Sequence, residues 1–149
     1  RFPPAGARRA GQIGLLFGMG LASVISVILW LAAPTIAALY TPDPAVQRAA
    51  MPLIVLVAAY HWADALQAVA VNILRGYKIT LLPMAIYAVS LWGIGLAGGV
   101  VLGLTDWLGP PRGAAGLWVA ATASLAVAGL AVSVYFLRGS QLTAKASTA

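Results

Sequence analysis

The sequence contains no cysteine and no glutamate, and its only acids are three aspartates beside a single histidine. The absence of cysteine excludes disulfide scaffolds, thiolate metal sites and cysteine nucleophiles. With so few acids and one histidine, the chain offers neither the paired carboxylates of general acid–base catalysis nor a set of zinc ligands. A glycine-rich phosphate loop of the Walker type is absent too. These absences argue against an enzyme.

Charge of either sign is scarce. Charged residues make up 8% of the chain, hydrophobic residues make up 62%, and the mean hydropathy is +0.94. A soluble domain is about half apolar and about a quarter charged, so a soluble fold could not hide this much apolar surface. The net charge of +6 is carried by basic residues that lie between long apolar runs. This pattern indicates orientation in a membrane, not binding to nucleic acid.

Four apolar runs predict four transmembrane helices in an all-α, polytopic membrane protein. Each run reaches the roughly 20 residues that cross about 30 Å of hydrocarbon. The spans are predicted at about residues 13–33, 49–72, 79–104 and 113–137. Pro34 is expected to end or kink the first span, whereas Pro83 is tolerated near the start of the third. The polar residues 139–149 are expected to form a mobile cytoplasmic tail.

The basic residues are unequally distributed between the two sides of these spans. The side that carries both termini has seven positive residues and no acid: Arg1, Arg8, Arg9, Arg75, Lys78, Arg138 and Lys145. The other side has two positive residues and two acids: Arg48, Arg112, Asp43 and Asp106. Positive residues accumulate on the cytoplasmic side of membrane proteins. The sequence therefore predicts that both termini are cytoplasmic.

Small residues recur every four positions in the first and third spans. Gly95, Gly99 and Gly103 share one face of the third span, and Gly14, Gly18 and Ala22 share one face of the first. Membrane helices associate through close van der Waals contact, which such residues permit. We therefore predict helix packing along both stripes and no direct role in ligand binding.

The second span is otherwise apolar but carries four polar residues, His61, Asp64, Gln67 and Asn72. At 3.6 residues per turn their side chains share roughly one face of the helix. A carboxylate near the middle of a span costs at least ~2.5 kcal/mol unless it meets a cation, a proton or water. Asp64 is therefore the candidate ion-binding residue, with the other three as candidate polar neighbours. The alternative is that His61 or another polar group satisfies Asp64 and the stripe only fixes helix packing.

Several short motifs, in this order and spacing, resemble the C-terminal part of the multidrug and toxic compound extrusion (MATE) family. They are Leu39-Tyr40-Thr41, Asp43-Pro44-Ala45-Val46, Asp64-Ala65-Leu66-Gln67, Leu74-Arg75-Gly76-Tyr77-Lys78, Pro83-Met84, Trp92-Gly93-Ile94-Gly95-Leu96 and Gly113-Ala114-Ala115-Gly116-Leu117-Trp118. The resemblance covers nearly the whole chain. It implies the last four helices of a twelve-helix exporter built from two six-helix lobes, placed in the bacterial inner membrane.

The same resemblance implies a function. The family exports organic cations and other drugs or toxins in exchange for sodium ions or protons, by alternating access. In its norfloxacin-exporter branch the acid at the position of Asp64 belongs to the cation site of the second lobe, so this residue would bind sodium or a proton and no other cofactor is implied. The site also draws on an acid from an earlier helix, which this chain does not contain. Membrane lipid and the N-terminal helices of the same protein are the implied structural partners.

Two alternatives follow from the same residues. One is a lipid-linked or polysaccharide flippase of related fold, and the other is a non-catalytic four-span subunit whose polar stripe binds a partner. Because the first residue is Arg1 and not methionine, we expect the sequence to be a piece of a longer protein. Alone, such a piece would not transport.

Overall fold

A computed structural model describes residues 5–146, with side chains from residue 6 to residue 140. The helices are α1 (Ala5–Tyr40), α2 (Pro44–Gly76), α3 (Leu81–Ser90), a π-helical segment (Leu91–Ala97), α4 (Gly98–Leu104) and α5 (Gly113–Ala146). The α3 helix, the π-helical segment and α4 follow one another without a break and together form the third span. In the described chain, four helices are long and apolar enough to cross a membrane. The predicted all-α architecture with four spans is confirmed.

Two prolines were predicted to mark helix ends, and they behave differently. The α1 helix continues past Pro34 to Tyr40, so it does not end at the proline, and the alternative that it is kinked there stays a prediction. Prolines are tolerated inside membrane helices because neighbouring groups satisfy the freed backbone. Asp43 caps the start of α2 by accepting a hydrogen bond from the Ala45 N–H at 2.8 Å. Pro83 does lie in the first turn of α3.

The α5 helix extends beyond the predicted fourth span. It continues to Ala146, so residues 139–146 of the predicted tail are helical. The last three residues, 147–149, lie outside the described residues.

Helix α5 lies between α2 and the third span. Helix α2 packs on α1 and on α5, and α5 packs in turn on the third span. The order in space is therefore α1, α2, α5, third span, which differs from the order along the chain. Helix α5 therefore separates α2 from the third span, although these two spans are neighbours in sequence.

A cluster of buried apolar side chains lies at the end of the bundle that carries the basic residues. Its buried members are Ala70, Leu74, Val132 and Phe136. The Tyr77 hydroxyl donates a 2.6 Å hydrogen bond to the carbonyl oxygen of Ala7, and its ring stacks on Phe136 with centroids 5.8 Å apart. The start of α1 and the ends of α2 and α5 therefore lie on the same side, as the charge count requires.

The glycines of the third span contact α5 as predicted. A Cβ atom added at Gly95 would lie 3.0 Å from Ser124 Oγ, and one at Gly103 would lie 2.9 Å from the Gly113 carbonyl oxygen. In α1, Gly18 packs on Val69 in the same way, but Gly14 has no neighbour within 4 Å among the described residues. The stripe in α1 is therefore only partly used for packing.

Candidate coupling-ion site

Helix α2 presents two different faces to its neighbours. The packed face, turned toward α5, consists of Ala63, Leu66, Ala70 and Leu74, which are all buried. The polar face consists of Tyr60, Asp64 and Gln67, of which Gln67 lines a cavity shared with α3. These three positions are separated by three or four residues, so their side chains stack along one side of the helix.

Asp64 lies half-buried on the polar face. Its carboxylate makes no hydrogen bond or ion pair with any residue whose side chain is described. Tyr60 lies one helical turn before Asp64 on the same side of α2, and Tyr87 of α3 lines the same cavity as Gln67. The predicted alternative, in which a neighbour satisfies the acid, is not seen in this part of the chain. A carboxylate without such a partner can accept a proton or a small cation.

Tyr60 is held in place by a contact with α5. Its ring meets Trp118 edge to face, with centroids 5.2 Å apart and the ring planes at 90°. Such T-shaped pairs are favoured because the positive edge of one ring meets the negative face of the other. The Tyr60 hydroxyl is therefore positioned by packing, one helical turn before Asp64.

Gln67 is fixed by the closest approach between α2 and α5. A Cβ atom added at Gly129 of α5 would lie 2.9 Å from the Gln67 backbone nitrogen and 3.1 Å from its Cα atom. The side chain of Gln67 points the other way, into a cavity of about 220 Å³ between α2 and α3. This cavity is lined by Gln67, Val71, Arg75, Thr80, Pro83, Met84 and Tyr87.

The two other predicted neighbours have different surroundings. His61 does not hydrogen-bond Asp64, and its buried Nε2 atom has no hydrogen-bond partner among the described residues. Asn72 is exposed, and its Nδ2 atom donates to the Ala68 carbonyl oxygen at 2.9 Å. Of the predicted set, Asp64 and Gln67 therefore share the polar face, whereas Asn72 is occupied by its own helix.

The sequence analysis missed Tyr60 and Tyr87. Tyr60 stands four residues before Asp64, a spacing that places two side chains on one helix face, so it could have been named. Tyr87 lies on another helix, and only the packing brings it to the site. Among the described residues no three of His, Cys, Asp and Glu come together, so this part of the chain contributes a single carboxylate to the candidate site.

Comparisons with known proteins agree with this architecture. The MatE family model matches residues 4–101. A probable multidrug resistance protein NorM of Chromobacterium violaceum is 39% identical over 135 residues, which are 91% of this chain and 29% of that protein. The multidrug resistance protein PmpM of Pseudomonas aeruginosa is 39% identical over 138 residues, or 93% of this chain and 29% of that protein. The chain thus spans less than a third of the length of these relatives.

Proposed function

Because the chain belongs to the MatE family, we propose that it forms the C-terminal part of a secondary multidrug exporter in which Asp64 binds the coupling ion. The relatives at 39% identity carry the names of multidrug resistance proteins, which favours drug export over the flippase alternative. Organic cations and other drugs are the substrate class, and sodium ions or protons drive their export. The proposal is for a transporter of the bacterial inner membrane, with both termini in the cytoplasm.

One observation carries the site assignment. Asp64 is the only acid within the four spans, and it has no hydrogen-bond or ion-pair partner among residues with described side chains. An unpaired carboxylate in hydrocarbon is too costly to keep for packing alone. A proton, a sodium ion or a cationic drug would each neutralise it.

Competition for this carboxylate supplies the coupling. A carboxylate that the ion has neutralised binds a cationic drug only weakly. Binding of the ion therefore favours release of the drug. If the site opens to one membrane side at a time, release of the drug outside and of the ion inside follow in turn. Tyr60, Gln67 and Tyr87 offer neutral oxygens, which are the ligands that hard cations prefer. His61 and Asn72 stay predictions as further neighbours.

The test replaces Asp64 in the full-length exporter. Asp64→Asn keeps the size of the side chain but removes its charge, so efflux driven by sodium or protons should fall to the level of vesicles without the protein. Asp43→Asn is the matched control, because asparagine caps a helix as well as aspartate does and that residue lies in a loop. Both variants should insert into the membrane equally. Ion-coupled efflux retained by Asp64→Asn would refute the assignment.

A further inference from the structure

The cavity between α2 and α3 extends from the site toward the end of the bundle that carries the basic residues. We infer that it is the cytoplasmic exit path of the coupling ion, an inference that rests on the proposed function of Asp64. Arg75 lies in the last turn of α2 and Thr80 immediately precedes α3, so both stand at the mouth of the cavity. Gln67 and Tyr87 line its inner end.

The depth of the cavity matches the distance that an ion must cover. Gln67 precedes Arg75 by eight residues, which at 1.5 Å per residue correspond to about 12 Å along α2. Asp64 stands one turn above Gln67. Gln67 at the inner end shares one side of α2 with Asp64, which lies three residues before it. The cavity therefore joins the level of the basic loop to the surroundings of the carboxylate.

The lining is mostly apolar but includes polar groups. These are the amide of Gln67, the hydroxyls of Thr80 and Tyr87 and the guanidinium of Arg75, with Val71 and Pro83 among the apolar residues. A volume of about 220 Å³ leaves room for several water molecules, each of which occupies about 30 Å³ in the liquid. Water in the cavity, together with these polar groups, would let a sodium ion or a proton pass without crossing bare hydrocarbon.

Arg75 places a positive charge at the mouth of the path. It is exposed and forms no ion pair with any residue whose side chain is described. A fixed positive charge at the mouth lowers the local concentration of cations, whether they come from Asp64 or from the cytoplasm. The charge thus opposes both retention of the ion in the cavity and its rebinding from the cytoplasm.

Cysteine accessibility tests the path directly, since this chain has no cysteine of its own. Met84→Cys lies in the cavity wall, and Val89→Cys lies on the same helix outside it, although both native side chains are exposed. Inside-out vesicles of the full-length exporter, freed of other cysteines, are treated with a membrane-impermeant cationic methanethiosulfonate. Met84→Cys should react at least about tenfold faster than Val89→Cys, because the reagent needs a hydrated thiolate.

A second variant tests the role of the charge. Arg75→Gln should lower the cytoplasmic sodium or proton concentration that half-inhibits efflux by about two- to fivefold at low salt, because the ion is held longer. Arg138→Gln, an exposed position on α5 that does not line the cavity, should leave this concentration unchanged.

The outcomes separate the exit path from the function on which it rests. Equal modification of Met84→Cys and Val89→Cys would overturn the exit path alone, as long as Asp64→Asn still abolishes coupled efflux. An unchanged half-inhibitory concentration in Arg75→Gln would overturn the role of the charge in keeping the ion out of the cavity. Coupled efflux retained by Asp64→Asn would overturn both the proposed function and the path.

Discussion

The packed face and the polar face of α2 lie on one helix but differ in how closely their residues are packed against neighbouring helices. The packed face is made of small and aliphatic residues, and Gly129 of α5 approaches it to backbone contact. The polar face leaves a cavity and an unpaired carboxylate. In a membrane, helices gain little from hydrophobic burial against each other, so close contact must hold the bundle. The contrast teaches that one face can supply the packing while the other is left free for binding.

The largest effect is expected where the two faces meet, at Gly129. The Cβ atom of Gly129→Ala would lie 2.9 Å from the Gln67 backbone nitrogen, and a backbone atom cannot turn aside as a side chain can. We expect a loss of about 3 kcal/mol in the free energy of unfolding, the upper end for overpacking. Coupled efflux should fall as well, because Gln67 must move. Stability is measured by titrating the full-length exporter from mild detergent into sodium dodecyl sulfate.

Gly20→Ala is the control for that substitution. Gly20 has no neighbour within 4 Å among the described residues, so the added methyl group meets open space. Alanine favours a helix over glycine by up to about 1 kcal/mol, and this variant should be no less stable than the parent. Equal destabilisation by the two alanines would mean that the packed face is not the tight contact that the structure shows.

The next largest effect is expected at Phe136 of α5, which packs against the end of the packed face. Phe136→Ala removes a fully buried ring from the cluster around Leu74. A loss of about 2 kcal/mol is expected, less than the 3–5 typical of soluble cores, because the side chain leaves its cavity for lipid and not for water. Leu130→Ala, on the exposed side of α5, should cost below about 0.5 kcal/mol in the same titration. A similar loss in both variants would contradict the distinction between packed and exposed sides.

Many features of this arrangement can be predicted from the sequence because each of them depends on the residues of one helix. Long uncharged runs predict the four helices, and the spacing of Gly95, Gly99 and Gly103 predicts a contact face that the third span uses. The lone Asp64 in an apolar span marks the candidate site in the same way. Each of these signals depends on one helix only.

What the sequence could not show depends on which helices are neighbours. Tyr87 lines a cavity with Gln67, and Gly129 reaches the Gln67 backbone, only through the packing of different helices. The π-helical segment was also not predicted, although four glycines between residues 93 and 99 weaken the local preference for an α-helix. Pro34 was misjudged because a rule from soluble helices was applied to a membrane helix.

A smaller effect is expected at Tyr77, which ties the end of α2 to α1. Tyr77→Phe removes the hydrogen bond to the Ala7 carbonyl oxygen but keeps the stacking on Phe136, so about 1 kcal/mol should be lost. Burial raises the pKa of Tyr77 above its usual 10.0. The stability that this neutral hydroxyl confers is therefore complete below pH 10 and declines as the pH rises through the raised pKa.

The pH dependence of unfolding checks this assignment. The parent exporter should lose stability above pH 10 more steeply than Tyr77→Phe, whereas Tyr40→Phe, at an exposed position, should follow the parent. An identical alkaline decline in the parent and in Tyr77→Phe would show that ionisation of this hydroxyl does not contribute.

The smallest effect is expected on the side of α2 that faces α1. There Trp62 donates a 3.0 Å hydrogen bond from Nε1 to Ser23 Oγ, at the edge of an apolar groove of about 410 Å³. Polar contacts between membrane helices average about 0.6 kcal/mol, so a double-mutant cycle of Trp62→Phe and Ser23→Ala should give a coupling energy near that value. A coupling energy near 2 kcal/mol would break the comparison, because an open groove would then hold the bundle as firmly as the packed face does.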